Sequence, residues 1–188
     1  MSNYIKLMVP LRQDAYWFKR LREAMAAKDI LVNWQNGGYH ITMAFFNSNE
    51  QVKALNDAFN KCINERLAPS LTLDKVDVFK AQHKPEYIVH LTSSQPSPRF
   101  VDFVDLLRHE ASNLGAEIES EFKLHITLGK IDTSSTTLEE VKKAVDGIQV
   151  PPFTLRLTDA EYLYHKGHSI GSWKMEGNSR QSKHQVLR

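Results

Sequence analysis

Apolar residues along this chain switch between two periods, every second position and every third or fourth, and the switches mark its elements. Tyr4 to Val9 is apolar, β-prone and closed by Pro10, which predicts a first strand. From Asp14 to Lys28 the apolar residues Trp17, Phe18, Leu21 and Met25 recur at helical spacing, with Asp14 placed to cap. Gly37-Gly38 breaks the chain before Tyr39–Phe46, a strand ending in the turn Asn47-Ser48-Asn49. Asn49 to Leu67 is again helical, striped by Val52, Leu55, Phe59, Ile63 and Leu67, and Pro69 ends it.

Leu71–Phe79 and Tyr87–Thr92 then read as a hairpin, and Ser93–Pro98 as a linker. Phe100, Val104, Leu107, Ala111 and Leu114 predict a third helix that stops at Gly115. The order then repeats. A strand spans Phe122–Leu128, a short helix spans Leu138–Ile148, and Pro151-Pro152 closes that unit. Phe153–Leu157 and Ala160–Tyr164 alternate like strands, and Gly167–Gly171 turns the chain into Ser172–Met175.

Two units of matching content, each with a helix, a strand, another helix and a hairpin, predict an α+β fold: a bilobal, pseudo-symmetric duplication with two antiparallel sheets flanking a central cleft and helices outside. Residues 1–177 are expected to form this one domain, and 178–188 a polar, flexible tail.

Composition narrows the class. A hydrophobic fraction of 41% with 24% charged residues is that of a folded globular protein. With 24 basic against 22 acidic residues the surface has no excess charge to hold long duplex nucleic acid, so an anionic substrate has to be captured locally. The single cysteine, Cys62, has no internal disulfide partner and lies among apolar residues. No stretch is long and apolar enough to span a membrane, and the N-terminus reads as a strand rather than a leader, so a cytoplasmic address is the expectation. The working expectation for the assembly is a monomer.

The candidate chemistry sits in the two matching strands. His40-Ile41-Thr42 and His125-Ile126-Thr127 each place a histidine and a threonine two apart, hence on one strand face, with the isoleucine turned to the core. Breaking a phosphodiester needs a base for the attacking hydroxyl and an acid for the departing oxygen. Two imidazoles near neutral pH supply both, and threonine hydroxyls can donate to the non-bridging oxygens. No metal-ligand spacing such as His-Glu-x-x-His is present, nor any glycine pattern for a dinucleotide or Walker-type phosphate site.

Tyr39-His40-Ile41-Thr42-Met43-Ala44-Phe45 and Leu124-His125-Ile126-Thr127-Leu128-Gly129-Lys130 resemble the paired motifs of the two-histidine phosphoesterase superfamily, within it the 2′-5′ RNA ligase and cyclic phosphodiesterase group. The resemblance implies His40 and His125 as the acid/base pair, Thr42 and Thr127 as phosphate ligands, chemistry without metal or cofactor, and a nucleotide or RNA-end substrate. Hydrolysis of a 2′,3′-cyclic phosphate to a 2′-phosphate is the expected reaction, with 2′-5′ ligation where an RNA 5′-hydroxyl replaces water. Cleavage of 2′-5′ oligonucleotides and non-catalytic binding of RNA ends are the rivals.

Four further residues are expected to contact substrate. Lys130 stands where the family often carries a basic residue. Phe46 shares the parity of His40 and Thr42 and could stack on a base. Tyr162 and Tyr164 lie on one face of the terminal hairpin, which resembles the family's cleft-lining strands; His165 and Trp173 belong to the same hairpin. His83, His90, His109, His168 and His184 have no matching motif and are read as structural or solvated, and Arg99, Arg108, Lys142 and Lys143 as helix-surface residues.

Overall fold

A computed structural model describes residues 3–47, 51–64, 66–119, 121–164 and 167–176; the expected tail, most of the Asn47-Ser48-Asn49 turn, and His165 lie outside these residues. In chain order the elements are β1 (Asn3–Met8), α1 (Tyr16–Ala27), β2 (Asn33–Trp34), β3 (His40–Phe46), α2 (Val52–Asn64), β4 (Ser70–Leu73), β5 (Lys75–Lys80), β6 (Glu86–Thr92), α3 (Pro98–Asn113), β7 (Ile126–Asp132), α4 (Leu138–Asp146), β8 (Phe153–Arg156), β9 (Asp159–Tyr164) and β10 (His168–Lys174).

The helices form where the spacing asks for them and start where a cap exists. Ser97 accepts from the Phe100 amide with Pro98 following at the first helical position, and Thr137 with Glu140 makes a reciprocal capping box on α4. α1 begins instead at Tyr16 with no side-chain cap, because Asp14 is engaged by the Arg12 guanidinium. The α1 stripe Trp17, Phe18, Leu21 and Met25 is buried as expected; on α2 only Leu55, Phe59 and Ile63 are, Val52 being half-buried and Leu67, past the helix end, exposed.

All strand pairs are antiparallel. The main sheet runs β10-β9-β1-β3-β7-β6-β5, with β2 also on β7, and a separate ribbon pairs β4 with β8. Its two halves, β10-β9-β1-β3 and β2/β7-β6-β5, meet at a single residue pair, Ile41 with Ile126. Helices cover one face only. α2 and α3 pack on β10 and β3, and α4 packs on β5 with α1 against α4. Side chains of the other face stay partly open, and there the two His-Ile-Thr motifs emerge.

The topology exchanges the repeats. Hairpin β5–β6, which follows the first motif in sequence, pairs with the second motif's strand β7, whereas β9 of the terminal hairpin pairs with β1 beside β3. The chain thus laces the halves together by non-local pairing. The expected strand Leu71–Phe79 is two strands broken at Asp74, whose carboxylate accepts the Ser94 amide and hydroxyl, and its first part pairs with β8 in the ribbon. The second motif's strand begins later than read, at Ile126, and β10 already starts at His168, inside the span expected to turn. Arg108 is buried, not a helix-surface residue: its guanidinium donates to the carbonyls of Met43 and Glu119. Cys62 is half-buried against the core.

Candidate active site

Each motif strand carries a β-bulge immediately after its threonine. On β3, Thr42 pairs with Lys6 and Ala44 with Ile5, which leaves Met43 as the extra residue; on β7, Thr127 pairs with His90 and Gly129 with Val89, which leaves Leu128. Met43, Ala44, Leu128 and Gly129 all turn inward. The Met43 carbonyl accepts from Arg108 at 3.0 Å, so the backbone group made irregular by the bulge has its own donor.

The bulge reverses the side-chain alternation beyond it, and this corrects one expected contact. Phe46 is fully buried, its ring 5.9 Å from Phe59 and 6.1 Å from Tyr162, so it belongs to the core and does not face a substrate. Phe45 takes its place on the polar face, 37% exposed and 5.5 Å from the Tyr4 ring. Tyr162 is also in the core: its hydroxyl donates to Asn3 Oδ1 at 2.7 Å, and burial pushes its pKa above the ordinary tyrosine value. Tyr164, half-buried and opposite Asn3, lies on the Tyr162 side of β9. Trp173 is buried too, its indole N–H donating to Asn60. The same bulge logic brings Lys130 to the polar face at the position matching Phe45, where Nζ lies 3.8 Å from Glu86.

The Ile41–Ile126 pair sits on the pseudo-two-fold axis. Its antiparallel register carries His40 toward Thr127 and Thr42 toward His125, so the four motif side chains alternate around one spot. The histidines are oriented alike. His40 Nδ1 lies 2.8 Å from the Gly38 carbonyl and His125 Nδ1 2.8 Å from the Lys123 carbonyl, each two residues earlier. A carbonyl only accepts, so Nδ1 carries the proton in both rings and Nε2 is the atom left to work.

Local sequence explains the Gly38 carbonyl. Gly37 and Gly38 have φ of 93° and 63°, a left-handed turn that glycine takes without strain and that aims the Gly38 carbonyl at His40. Gln35 Nε2 donates to Gly37 O and the Tyr39 hydroxyl to Gln35 O, which fixes that turn. Beside the second motif, the Thr92 hydroxyl donates to Leu124 O at 2.7 Å. Burial lowers the pKa of both histidines: His40 further feels Lys6 and His125, and His125 feels Lys123, with the hydrogen bonds to the carbonyls and, for His40, Glu161 opposing the shift.

His90, read as structural or solvated, stands on the polar face across from Thr127. Its ring lies 6.0 Å from His125 and 5.1 Å from Phe79, and Phe79 in turn meets His125 edge-on at 5.3 Å. The Lys123 ammonium caps the Phe79 ring at 3.5 Å. The sequence signal for His90 is its place in Tyr87–Thr92, but its relation to the second motif depends on a pairing the sequence does not state. Among the described residues no group of three or more His, Cys, Asp and Glu side chains is arranged to hold a metal ion, and no helix is long and apolar enough to cross a membrane.

The model of the 2′-5′ RNA ligase superfamily matches residues 10–169, from just after β1 into β10 and across both motifs. The chain belongs to that superfamily. Solved structures share the fold at low identity. Usb1 of Kluyveromyces marxianus is 11% identical, with a TM-score of 0.65 over 93% of this chain and 98% of that one. TT0787 of Thermus thermophilus is 15% identical, with a TM-score of 0.57 over 95% and 100%. Apo LigT of E. coli is 18% identical, with a TM-score of 0.54 over 93% and 96%, and LigT structures include complexes with NADP+ and 3′-AMP. No curated protein matches the chain. Superfamily membership supports a phosphoesterase or RNA ligase-like activity.

Proposed function

We propose that this superfamily member, through one catalytic domain spanning residues 1–177, hydrolyses 2′,3′-cyclic phosphates of nucleotides or RNA ends to 2′-phosphates. The observation that carries the reading is the matched pair of Nδ1–carbonyl hydrogen bonds, which gives His40 and His125 the same tautomer and the same free Nε2 around one pseudo-two-fold axis. Water attacks phosphorus as its proton passes to Nε2 of the neutral histidine. The P–O3′ bond breaks as Nε2–H of the protonated histidine gives its proton to the 3′ oxygen. The Thr42 and Thr127 hydroxyls donate to the non-bridging oxygens, whose charge grows in the transition state. With an RNA 5′-hydroxyl in place of water, attack that expels the 2′ oxygen would leave a 3′-5′ linkage and expulsion of the 3′ oxygen a 2′-5′ linkage; the latter is the ligation the family's name describes.

The LigT complexes with 3′-AMP and NADP+ support a nucleotide substrate, and Phe45 beside Tyr4 offers a base an aromatic surface on the same face as His40. The test is turnover, with EDTA present, of 2′,3′-cyclic nucleotides alongside a 2′-5′-linked dinucleotide, with the phosphate position in the product read by NMR. A 2′-phosphate from the cyclic substrate is expected. Turnover of the dinucleotide alone would replace this reading with that of a 2′-5′ oligonucleotide phosphodiesterase.

A further inference from the structure

The pseudo-symmetry extends one strand beyond each motif and there it breaks in charge. The residue paired with Thr42 is Lys6, backed on β9 by Glu161; the residue paired with Thr127 is His90, backed on β5 by Asp77. Both positions therefore carry a basic side chain next to a motif threonine, with a carboxylate behind it. His90 is 4% exposed and uncharged near neutral pH, since burial pushes its pKa down to about 4. Lys6 is an ammonium, its side chain only 13% exposed, held by Glu161 at 3.6 Å.

A phosphodiester arrives with one negative charge and gains more in the transition state, while two histidines sharing one proton and two neutral hydroxyls hold it incompletely. Two other lysines of this face are engaged elsewhere: Lys130 lies past the bulge beside Glu86, and Lys123 is over Phe79 on the His125 side. We propose that Lys6 is the fixed cation of this site, its ammonium meeting a non-bridging phosphate oxygen beside Thr42. The inference rests on the phosphodiester reading for its substrate but not for its anion. An ammonium taken largely out of water makes a stronger bond to a phosphate oxygen than one in bulk solvent, and Glu161 holds it in place until the phosphate competes for it.

The experiment titrates inorganic phosphate into the full chain by calorimetry, for wild type, Lys6→Met, Lys6→Arg, Glu161→Gln and, on the exposed face of α2, Lys53→Met, and follows the His40 ring by NMR. Lys6→Met is expected to weaken phosphate about 10- to 100-fold, the range for a hydrogen bond to a charged group. Lys6→Arg should recover most of this, and Lys53→Met should change it less than about threefold. His40 faces Lys6 from β1, Glu161 from β9 and His125 across the axis, and it should titrate higher without the lysine and lower without Glu161. Phosphate binding by a folded Lys6→Met within about twofold of wild type overturns the proposal, as does a wild type that binds no phosphate. Should Lys6→Met not fold, Glu161→Gln decides: freeing the ammonium must not weaken its hold on an anion, so weaker phosphate binding would mean the pair is only structural. Phosphate binding that depends on Lys6 in a protein without turnover would keep the cation site and remove the diesterase reading.

Discussion

Replacing His90 with phenylalanine keeps a ring between Phe79 and His125 but removes a buried titrating group, and its effect on stability has a sign and a size. Burial dominates in lowering the His90 pKa from 6.5 to about 4; the Ile88 carbonyl and Asp77 resist, and His125 and Lys123 assist. Between these two values the unfolded chain binds a proton that the folded chain refuses, so wild-type stability falls as pH drops below 6.5 and the loss levels off near pH 4. The full difference is about 3 kcal/mol and the part reached at pH 5 about 2 kcal/mol. His40, His125 and Asp77 titrate in both proteins and largely cancel in the comparison. Urea unfolding followed by circular dichroism between about pH 7.5 and 5 should therefore show His90→Phe gaining about 2 kcal/mol on wild type. A constant gap across that range would refute the burial of a neutral His90.

Three other outcomes follow from the same geometry. Because burial lowers both His40 and His125, the bell-shaped pH profile of kcat/KM should be centred on the acid side of 6.5, and the loss of rate at higher pH should mark deprotonation of the acid. An optimum above about pH 7.5 would contradict this. Phe46→Ala should lose about 3–5 kcal/mol in chemical unfolding, as a core ring does. Phe45→Ala should leave stability within about 1 kcal/mol and instead raise KM for a nucleotide substrate.

The motifs are legible because period-two alternation fixes the relation between residues two apart, whatever the strand later pairs with. Parity beyond the motif is not, because the bulges at Met43 and Leu128 change the count, and nothing in the local sequence marks the one at Met43. The expectation for Phe46 fails by this single extra residue. That for Tyr162 fails because alternation tells which residues share a face but not which face looks inward; Ile5 and Asn3 on the neighbouring strand settle that. Lys6 and His90 cannot be read as neighbours of the threonines, since β1 and β6 reach the motif strands through non-local pairings, one of which crosses between the repeats. Arg108 illustrates the converse: an arginine in a helical stretch is surface by default, and it is buried here because a bulge left a carbonyl in need of a donor.

The central claim is that His40 and His125 act as one acid/base pair on a single phosphorus. The most direct test is single-turnover hydrolysis of a 2′,3′-cyclic nucleotide by wild type, His40→Ala, His125→Ala and the double variant, with folding checked for each. The account predicts that either single variant loses about 10²–10⁴-fold in rate. The double variant should lose little more than the worse single one, because one half of an acid/base pair has no partner to work with. A single variant that retains wild-type turnover, or losses that multiply as independent contributions, would contradict it.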